Sequence, residues 1–337
     1  MVIKSIPNHL NYDKKFIATV IKHINLQIHI MQTILITGGT GLVGKTLIPL
    51  LTQKGYKTII LTRDLKNKTS TEHTSYAHWD VEKQTIDIAA LQQADFIIHL
   101  AGAGVMDEKW TEKYKKEILD SRVKSSELLV KTLAENKNEV KAIVSASAIG
   151  WYGEDVQKGK AFTEDDPAAT DFLGETCRLW EESITAAEQL NIRVVKIRTG
   201  IVLDNNGGAL SEFTKPVKFG MATILGSGTQ MVSWIHIQDH CRILLQAIEH
   251  NNMTGSYNSV APDPVTNKVL VTTVANVLKG NLFVGVPVPT FFLKLILGQR
   301  SIEILKSCTV SSTKIKNTGY SFIYPGIKAA LNNLLKN

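Results

Sequence analysis

From position 33 onward the chain alternates short apolar, β-branched runs with stretches whose apolar residues recur at helical spacing. Thr33-Ile-Leu-Ile-Thr37 suits a parallel strand buried on both faces. Lys45-Thr-Leu-Ile-Pro-Leu-Leu follows at helical spacing, with Pro49 near enough to the helix start to be tolerated. Further strands are predicted at 57–61, at His78-Trp-Asp80, and at 95–100, 140–146 and 193–199. Helices are predicted at 110–137, 172–189 and 238–249, with shorter ones at 270–278 and 290–297. Asn205-Asn-Gly-Gly reads as a turn and 220–230 as a glycine-dotted loop. Such alternation predicts an α/β protein, a Rossmann-type doubly wound parallel sheet with helices on both faces. Past Leu203 the pattern loosens and prolines punctuate it, which fits a smaller C-terminal substrate lobe.

Between the first strand and the first helix, Gly38, Gly41 and Gly44 fall at three-residue intervals. A residue without Cβ lets the backbone turn sharply and lets a pyrophosphate approach it, and a later glycine lets helix and strand pack closely. The N–H groups and positive dipole end of the helix then face the phosphates. The strand before and the helix after supply the context that a bare glycine triplet lacks. Gly38, Thr40, Gly41, Leu42, Val43 and Gly44 are therefore expected to hold a dinucleotide. Thr62 and Arg63 follow the second strand. An acidic residue near this point would grip ribose hydroxyls, whereas an arginine suits a 2′-phosphate, so NADP(H) is the expected cofactor, although Asp64 adjoins. Asp80 and Val81, closing the third strand, are expected near the adenine. Leu100, Ala101 and Gly102 end the fourth, with small residues where a nicotinamide ribose could approach; an ordinary strand-ending turn is the other reading of Gly102. His99 is read as a strand histidine pointing into packing.

Charge and cysteine content narrow the class. The net charge is +7, and part of the excess lies in residues 1–30, where Lys4, Lys14, Lys15 and Lys22 face only Asp13. With no dense basic cluster elsewhere, nucleic-acid binding is not indicated. Residues 1–30 read as a loose extension, with translation expected to start at Met31. Cys177, Cys241 and Cys308 are far apart and odd in number, which argues against a disulfide framework or a metal site and fits a reducing cytoplasm. No apolar run reaches the ~18–20 residues that a membrane span needs. A small-molecule substrate is the expected partner, and the oligomeric state is left open.

Gly-Gly-Thr-Gly-Leu-Val-Gly44, His-Leu-Ala-Gly102 and Ser145-Ala-Ser147 resemble the extended short-chain dehydrogenase/reductase superfamily, the class of nucleotide-sugar epimerases and dehydratases. Asp120-Ser-Arg-Val, Ser145-Ala-Ser-Ala-Ile-Gly-Trp-Tyr-Gly153, Asp171-Phe-Leu-Gly-Glu-Thr-Cys-Arg-Leu-Trp-Glu181, Gly226-Ser-Gly-Thr-Gln230 and Gly319-Tyr-Ser-Phe-Ile-Tyr-Pro325 resemble its YfcH-like, SDR39U-type branch, over the whole stretch from Met31 to the end. The resemblance implies an NADP-binding core at 31–203. Residues 204–337 would complete that core and form the substrate lobe, with a family-specific terminal domain at about 284–332. It also implies a tyrosine four residues before a lysine on one helix. The tyrosine exchanges a proton while hydride moves, and the lysine lowers its pKa and holds the ribose. Here those places fall at Leu173 and Cys177, so the pair is missing.

Several residues are candidates to take over. Ser147 matches the superfamily's substrate-binding serine, a strand-end hydroxyl bonded to backbone being the alternative. Tyr152 is a candidate proton donor, though with an ordinary pKa of ~10 it makes a poor base; packing or substrate contact is its other reading. Glu175 reads as an exposed carboxylate or an acid/base, and Cys177 as a small buried hydrophobe rather than a nucleophile. Arg198 either meets a phosphate or caps its strand. Gln230 is placed to bond a polar ligand, and His236 and Asp239 either line the pocket or tie the lobe to the sheet. Two functions remain: an NADP-dependent oxidoreductase or epimerase acting on a polar, nucleotide-sugar-like substrate, or an NADP(H)-binding regulatory protein with little or no catalysis.

Overall fold

In the computed structural model, which describes residues 31–157 and 159–336, alternate residues of the central strands enter opposite cores. Ile34 and Ile36 join one apolar cluster and Leu35 the other; Ile98 and Ile97, Val144 and Ile143, and Val195 and Val194 divide the same way. Side chains alternate across a strand, so a run apolar at every position is stable only when both faces are covered. The expectations for residues 1–30, including a start at Met31, lie outside the described residues.

The strands in chain order are β1 (Thr33–Thr37), β2 (Lys57–Thr62), β3 (Thr74–Asp80), β4 (Thr85–Ile86), β5 (Phe96–His99), β6 (Ala142–Ala148) and β7 (Arg193–Thr199). There follow β8 (Ile201–Leu203), β9 (Met221–Leu225), β10 (Met231–Val232), β11 (Trp234–His236), β12 (Gly255–Ser259), β13 (Val265–Thr266) and β14 (Val284–Val288). Eight of them form one sheet in the order β12-β7-β6-β5-β1-β2-β3-β4. Its neighbours run parallel except β3 and β4. The chain steps outward from β1 to β2 and β3, then crosses back to lay β5 on the other side of β1. That reversal opens a crevice beyond the carboxyl ends of β1 and β5, where open α/β sheets bind ligands.

Helices Leu42–Gln53 and Ile237–Glu249 cover one face, burying Leu47, Leu51, Cys241 and Leu244. Helix Glu112–Glu135 covers the other with Leu128, Leu129 and Leu133. Two site helices begin on side-chain caps: Thr111 accepts the Tyr114 N–H, and Asp171 accepts the Gly174 N–H at 2.8 Å.

Three local expectations are corrected. Pro49 lies in the interior of its helix, which continues to Gln53 although the proline cannot donate to the Lys45 carbonyl. The helix from Phe172 ends at Thr185, and a 3-10 turn, Ala186–Leu190, leads to Asn191 in the left-handed conformation. Residues 220–230 are not all loop: β9 lies within them and pairs in parallel with β14. That partner lies some sixty residues downstream, so no local signal announces the strand.

Candidate functional site

The turn after β1 is joined to the end of β5. Gly38 has φ +68°, and a Cβ there would sit 2.7 Å from the Leu100 carbonyl carbon, so a side chain is excluded by both backbone conformation and space. Thr37 Oγ1 accepts the N–H groups of Leu100 (3.1 Å) and Ala101 (3.2 Å). With both of those N–H groups directed at it, its own proton goes to His99 Nδ1 at 2.6 Å. His99 Nε2–H then faces Ser125 and Ser126, at 3.2 Å each. His99 is fully buried, and burial pushes its pKa down to about 3, so it is a neutral framework group, as its strand position led us to expect.

Gly41 begins the Leu42–Gln53 helix without a side-chain cap, and Thr40 and Gly41 are exposed. Any side chain at Gly44 would collide with the backbone of Gly39, which explains the close approach of helix and turn. The first-turn N–H groups of Leu42, Val43 and Gly44 are thus presented at the crevice. At the end of β2, Thr62 is tied to Asp64 through its hydroxyl, and the Asp64 carboxylate is held by the Lys66 N–H. Arg63 is exposed and makes no hydrogen bond or ion pair among the described residues. Asp80 Oδ1 accepts the N–H groups of Glu82 and Lys83, and these bonds, with Lys83 itself, hold its pKa below the usual range. Val81 follows in that turn. Gly38, Thr40, Gly41, Leu42, Val43 and Gly44 therefore share one edge with Leu100, Ala101 and Gly102, and their chemistry fits a phosphorylated dinucleotide.

Ser147, Tyr152 and Arg198 meet elsewhere, in a buried polar network at the ends of β6, β7 and β12. Ser147 Oγ donates to Glu181 Oε1 at 2.7 Å. Arg198 grips the same carboxylate through Nε (2.8 Å to Oε1) and Nη2 (3.1 Å to Oε2). Its Nη1 donates to the Tyr152 hydroxyl at 3.0 Å, and Tyr152 donates to Asn258 Oδ1 at 2.6 Å. The guanidinium also lies 3.7 Å from the Trp151 ring centroid. The reading of Arg198 as a phosphate ligand is corrected: an arginine on a buried strand satisfies its charge on Glu181 instead of reaching the crevice. Ser147 and Tyr152 are likewise buried with their hydroxyls bonded inside the protein. Burial raises the Tyr152 pKa, against the pull of Arg198, so the phenol holds its proton more tightly than a free tyrosine and is still less available as a phenolate base at neutral pH. A cavity of about 440 Å³ adjoins this network at Trp151, Glu181, Thr185 and Lys196, and none of the residues expected to line the cofactor contributes to it.

Leu173 and Cys177 occupy the inner face of the Phe172–Thr185 helix. Burial pushes the Cys177 thiol up to about 12, partly opposed by the charge of Arg122, so it behaves as a small apolar residue. Glu175 is exposed and paired with Arg178. Gln230 donates inward to the Leu225 carbonyl at 3.0 Å and is corrected from ligand group to loop brace. His236 and Asp239 tie the lobe to the sheet. His236 bonds Asn333 and stacks on Tyr324, while Asp239, fully buried, accepts from Tyr320, Ile323 and Tyr324. Glu181, Asn258 and Arg122 were not singled out individually from sequence. Glu181, one helical turn beyond Cys177, was the nearest to a legible signal.

A doubly wound sheet, a glycine turn at its switch point and an uncapped helix start define a Rossmann-type protein of the extended short-chain dehydrogenase/reductase class. Residues 34–260 match the model of the NAD dependent epimerase/dehydratase family, and the chain belongs to that family. Residues 288–334 match a domain of unknown function, DUF1731. The epimerase family protein YfhF of Bacillus subtilis is 34% identical, over 90% of this chain and 98% of its own. Among solved structures, human epimerase family protein SDR39U1 with NADPH superposes with a TM-score of 0.79 at 28% identity, covering 91% of this chain and all of that one. UDP-N-acetylglucosamine 4-epimerase from Bacillus cereus shares the fold, with a TM-score of 0.70 at 19% identity over 90% of this chain.

Proposed function

We propose that this protein binds NADP(H) across the β1/β5 crevice and acts as an oxidoreductase or epimerase on a polar, nucleotide-sugar-like substrate. The observation that carries the reading is the uncapped glycine turn, joined by Thr37 to the end of β5 and standing beside the unpaired Arg63. Backbone N–H groups of Thr40, Leu42 and Val43 hold the pyrophosphate, and Arg63 takes the 2′-phosphate. Asp80 and Val81 face the adenine, and Leu100, Ala101 and Gly102 back the nicotinamide ribose. The nicotinamide supplies hydride exchange with a substrate carbon. SDR39U1, solved with NADPH, supports the choice of coenzyme. In the lobe, the exposed Ser227, between Gly226 and Gly228 in left-handed conformations, and the exposed Thr229, whose hydroxyl shares a hydrogen bond with that of Ser227, offer polar groups to a substrate. Three buried free cysteines are consistent with a reducing cytoplasm. Among the described residues no helix is long and apolar enough to cross a membrane.

A second reading, a coenzyme-binding regulatory protein with little catalysis, is favoured by the internal bonding of Ser147 and Tyr152 and by the absence of the Tyr/Lys pair. Calorimetric titration with NADPH and NADH tests the binding that both readings share. A screen of nucleotide sugars and small carbonyl compounds for NADPH oxidation separates them: turnover supports the enzyme, and tight binding without turnover supports the regulator.

A further inference from the structure

The helix Thr290–Leu297 is apolar on every side: of its 8 residues, Thr-Phe-Phe-Leu-Lys-Leu-Ile-Leu, only Lys294 carries a charge. At the helical repeat, Leu293 and Leu297 fall on one side, and Phe291, Phe292, Leu295 and Ile296 on the other. Leu293 is buried against the lobe and Leu297 is half-buried. The opposite four face water, as does Ile302 in the Ser301–Leu305 helix that follows; all five are between 46% and 77% exposed. A surface helix ordinarily turns polar residues outward, and a helix apolar all round is a buried one. Among the described residues, nothing in the chain covers this face.

The face is also held firmly. Just before the helix the Gly226 N–H donates to the Val288 carbonyl at 2.9 Å, and just after it Arg300 Nη1 donates to the Met106 carbonyl at 2.8 Å. Fixed at both ends, the apolar side chains make a preformed surface, which lowers the ordering cost of a contact.

Area and charge say what covers it. At roughly 150–200 Å² for a fully exposed side chain of this size, the five leave on the order of 500 Å² of mostly apolar surface in water. A patch of that extent stands at the upper end of what a monomer exposes and marks an interaction site. Homodimer interfaces are about 65% apolar, so with its polar rim the patch corresponds to about 800 Å² on each partner, the standard size of a stable interface. An anionic membrane surface would need a cluster of cations around the apolar side. Here Lys294 is the only charge on the helix, Arg300 is engaged by the Met106 carbonyl, and Lys306 is paired with Glu303 at 2.6 Å. An aromatic face without charge at its centre has the composition of a homodimer contact. Two copies meet about a two-fold axis without setting like charges opposite each other there.

We infer that the outer face of the Thr290–Leu297 helix, with Ile302, is the contact of a two-fold homodimer of this chain. The inference is independent of the coenzyme reading above.

Sedimentation equilibrium of the full chain tests it, at about 10 μM, where an interface of standard size is expected to be filled. Far-UV circular dichroism checks the fold of each variant. The wild type is expected at twice the mass of one chain. Leu295→Glu puts a charge from each copy into the apolar contact and should raise the dimer dissociation constant about a hundredfold or more. Leu295→Ala only trims area and should raise it about tenfold or less; should Leu295→Glu lose its helical spectrum, Leu295→Ala carries the test alone. Val156→Glu, at an exposed apolar residue off the face, should remain a dimer. A monomeric wild type would overturn the inference, and one that also pellets with anionic phospholipid vesicles would give the face to a membrane instead. A dimer undisturbed by either Leu295 variant would place the contact elsewhere and overturn it equally. So would dissociation of Val156→Glu to the same degree as Leu295→Glu.

Discussion

Glu181 and Arg198 form a two-bonded ion pair inside the protein, Nε to Oε1 at 2.8 Å and Nη2 to Oε2 at 3.1 Å, with each side chain almost wholly out of solvent. Such a pair contributes little net stability against apolar replacements, but removal of one partner strands the other charge. Arg198→Met is therefore expected to destabilise the protein by about 3–5 kcal/mol in chemical denaturation. The double variant Glu181→Met with Arg198→Met should recover a large part of that loss. A single variant as stable as wild type would show that the carboxylate is solvated or protonated in the fold.

Buried histidines make stability depend on pH, His99 and His240 most of all. Burial holds His99 at about 3 and His240 at about 4, while both take up a proton near 6.5 once unfolded. Between pH 6.5 and about 4 the unfolded chain thus binds more protons, and stability falls as pH drops through that window. Replacing His99 by Gln should flatten the slope of unfolding free energy between about pH 6 and pH 5 by about 1 kcal/mol per pH unit. An unchanged slope would mean that His99 carries a proton in the folded state.

Arg63 sets coenzyme preference if it meets the 2′-phosphate. Arg63→Ala is expected to weaken NADPH about tenfold or more, by loss of a charge-assisted contact, and to leave NADH within about twofold. Since the side chain is exposed and bonded to nothing among the described residues, thermal stability should stay at the wild-type value. Parallel losses for the two coenzymes would disprove the assignment.

Asp239 anchors the closing segment of the chain. Its carboxylate accepts from the Tyr320 hydroxyl (2.8 Å) and from the N–H groups of Ile323 and Tyr324 (2.9 Å each). Asp239→Ala leaves these donors unsatisfied in a buried place and should cost about 2–3 kcal/mol. Limited proteolysis should then cut at 319–325 before it cuts the central sheet; cleavage with wild-type kinetics would rule out the anchor.

Much of the coenzyme edge was legible because its determinants are local. Glycines at 38, 41 and 44 follow a strand and open a helix, and each has a backbone or packing reason visible within a few residues of chain. The exposed place of Arg63 was legible for the same reason, as the first long side chain past β2. Strand β9 was not, because its hydrogen bonds go to β14, far along the chain, and its composition is that of a loop. Ser147 and Tyr152 were correctly brought together but assigned to open chemistry, since nothing in their neighbourhood reveals that Glu181, Asn258 and Arg198 absorb their hydroxyls.

Periodicity and the glycine spacing were enough to dictate a doubly wound sheet and the glycine turn at its switch point, because each depends on residues adjacent in the chain, and the family resemblance was what marked the tyrosine–lysine pair as missing. Which polar groups face a ligand and which are bonded inward was decided only when β6, β7 and β12 came side by side and the Glu112–Glu135 helix settled against β5. Pairing between elements dozens of residues apart sets where a side chain's hydrogen bonds end, and so neutralises Arg198 on Glu181 in the interior rather than leaving it to the crevice.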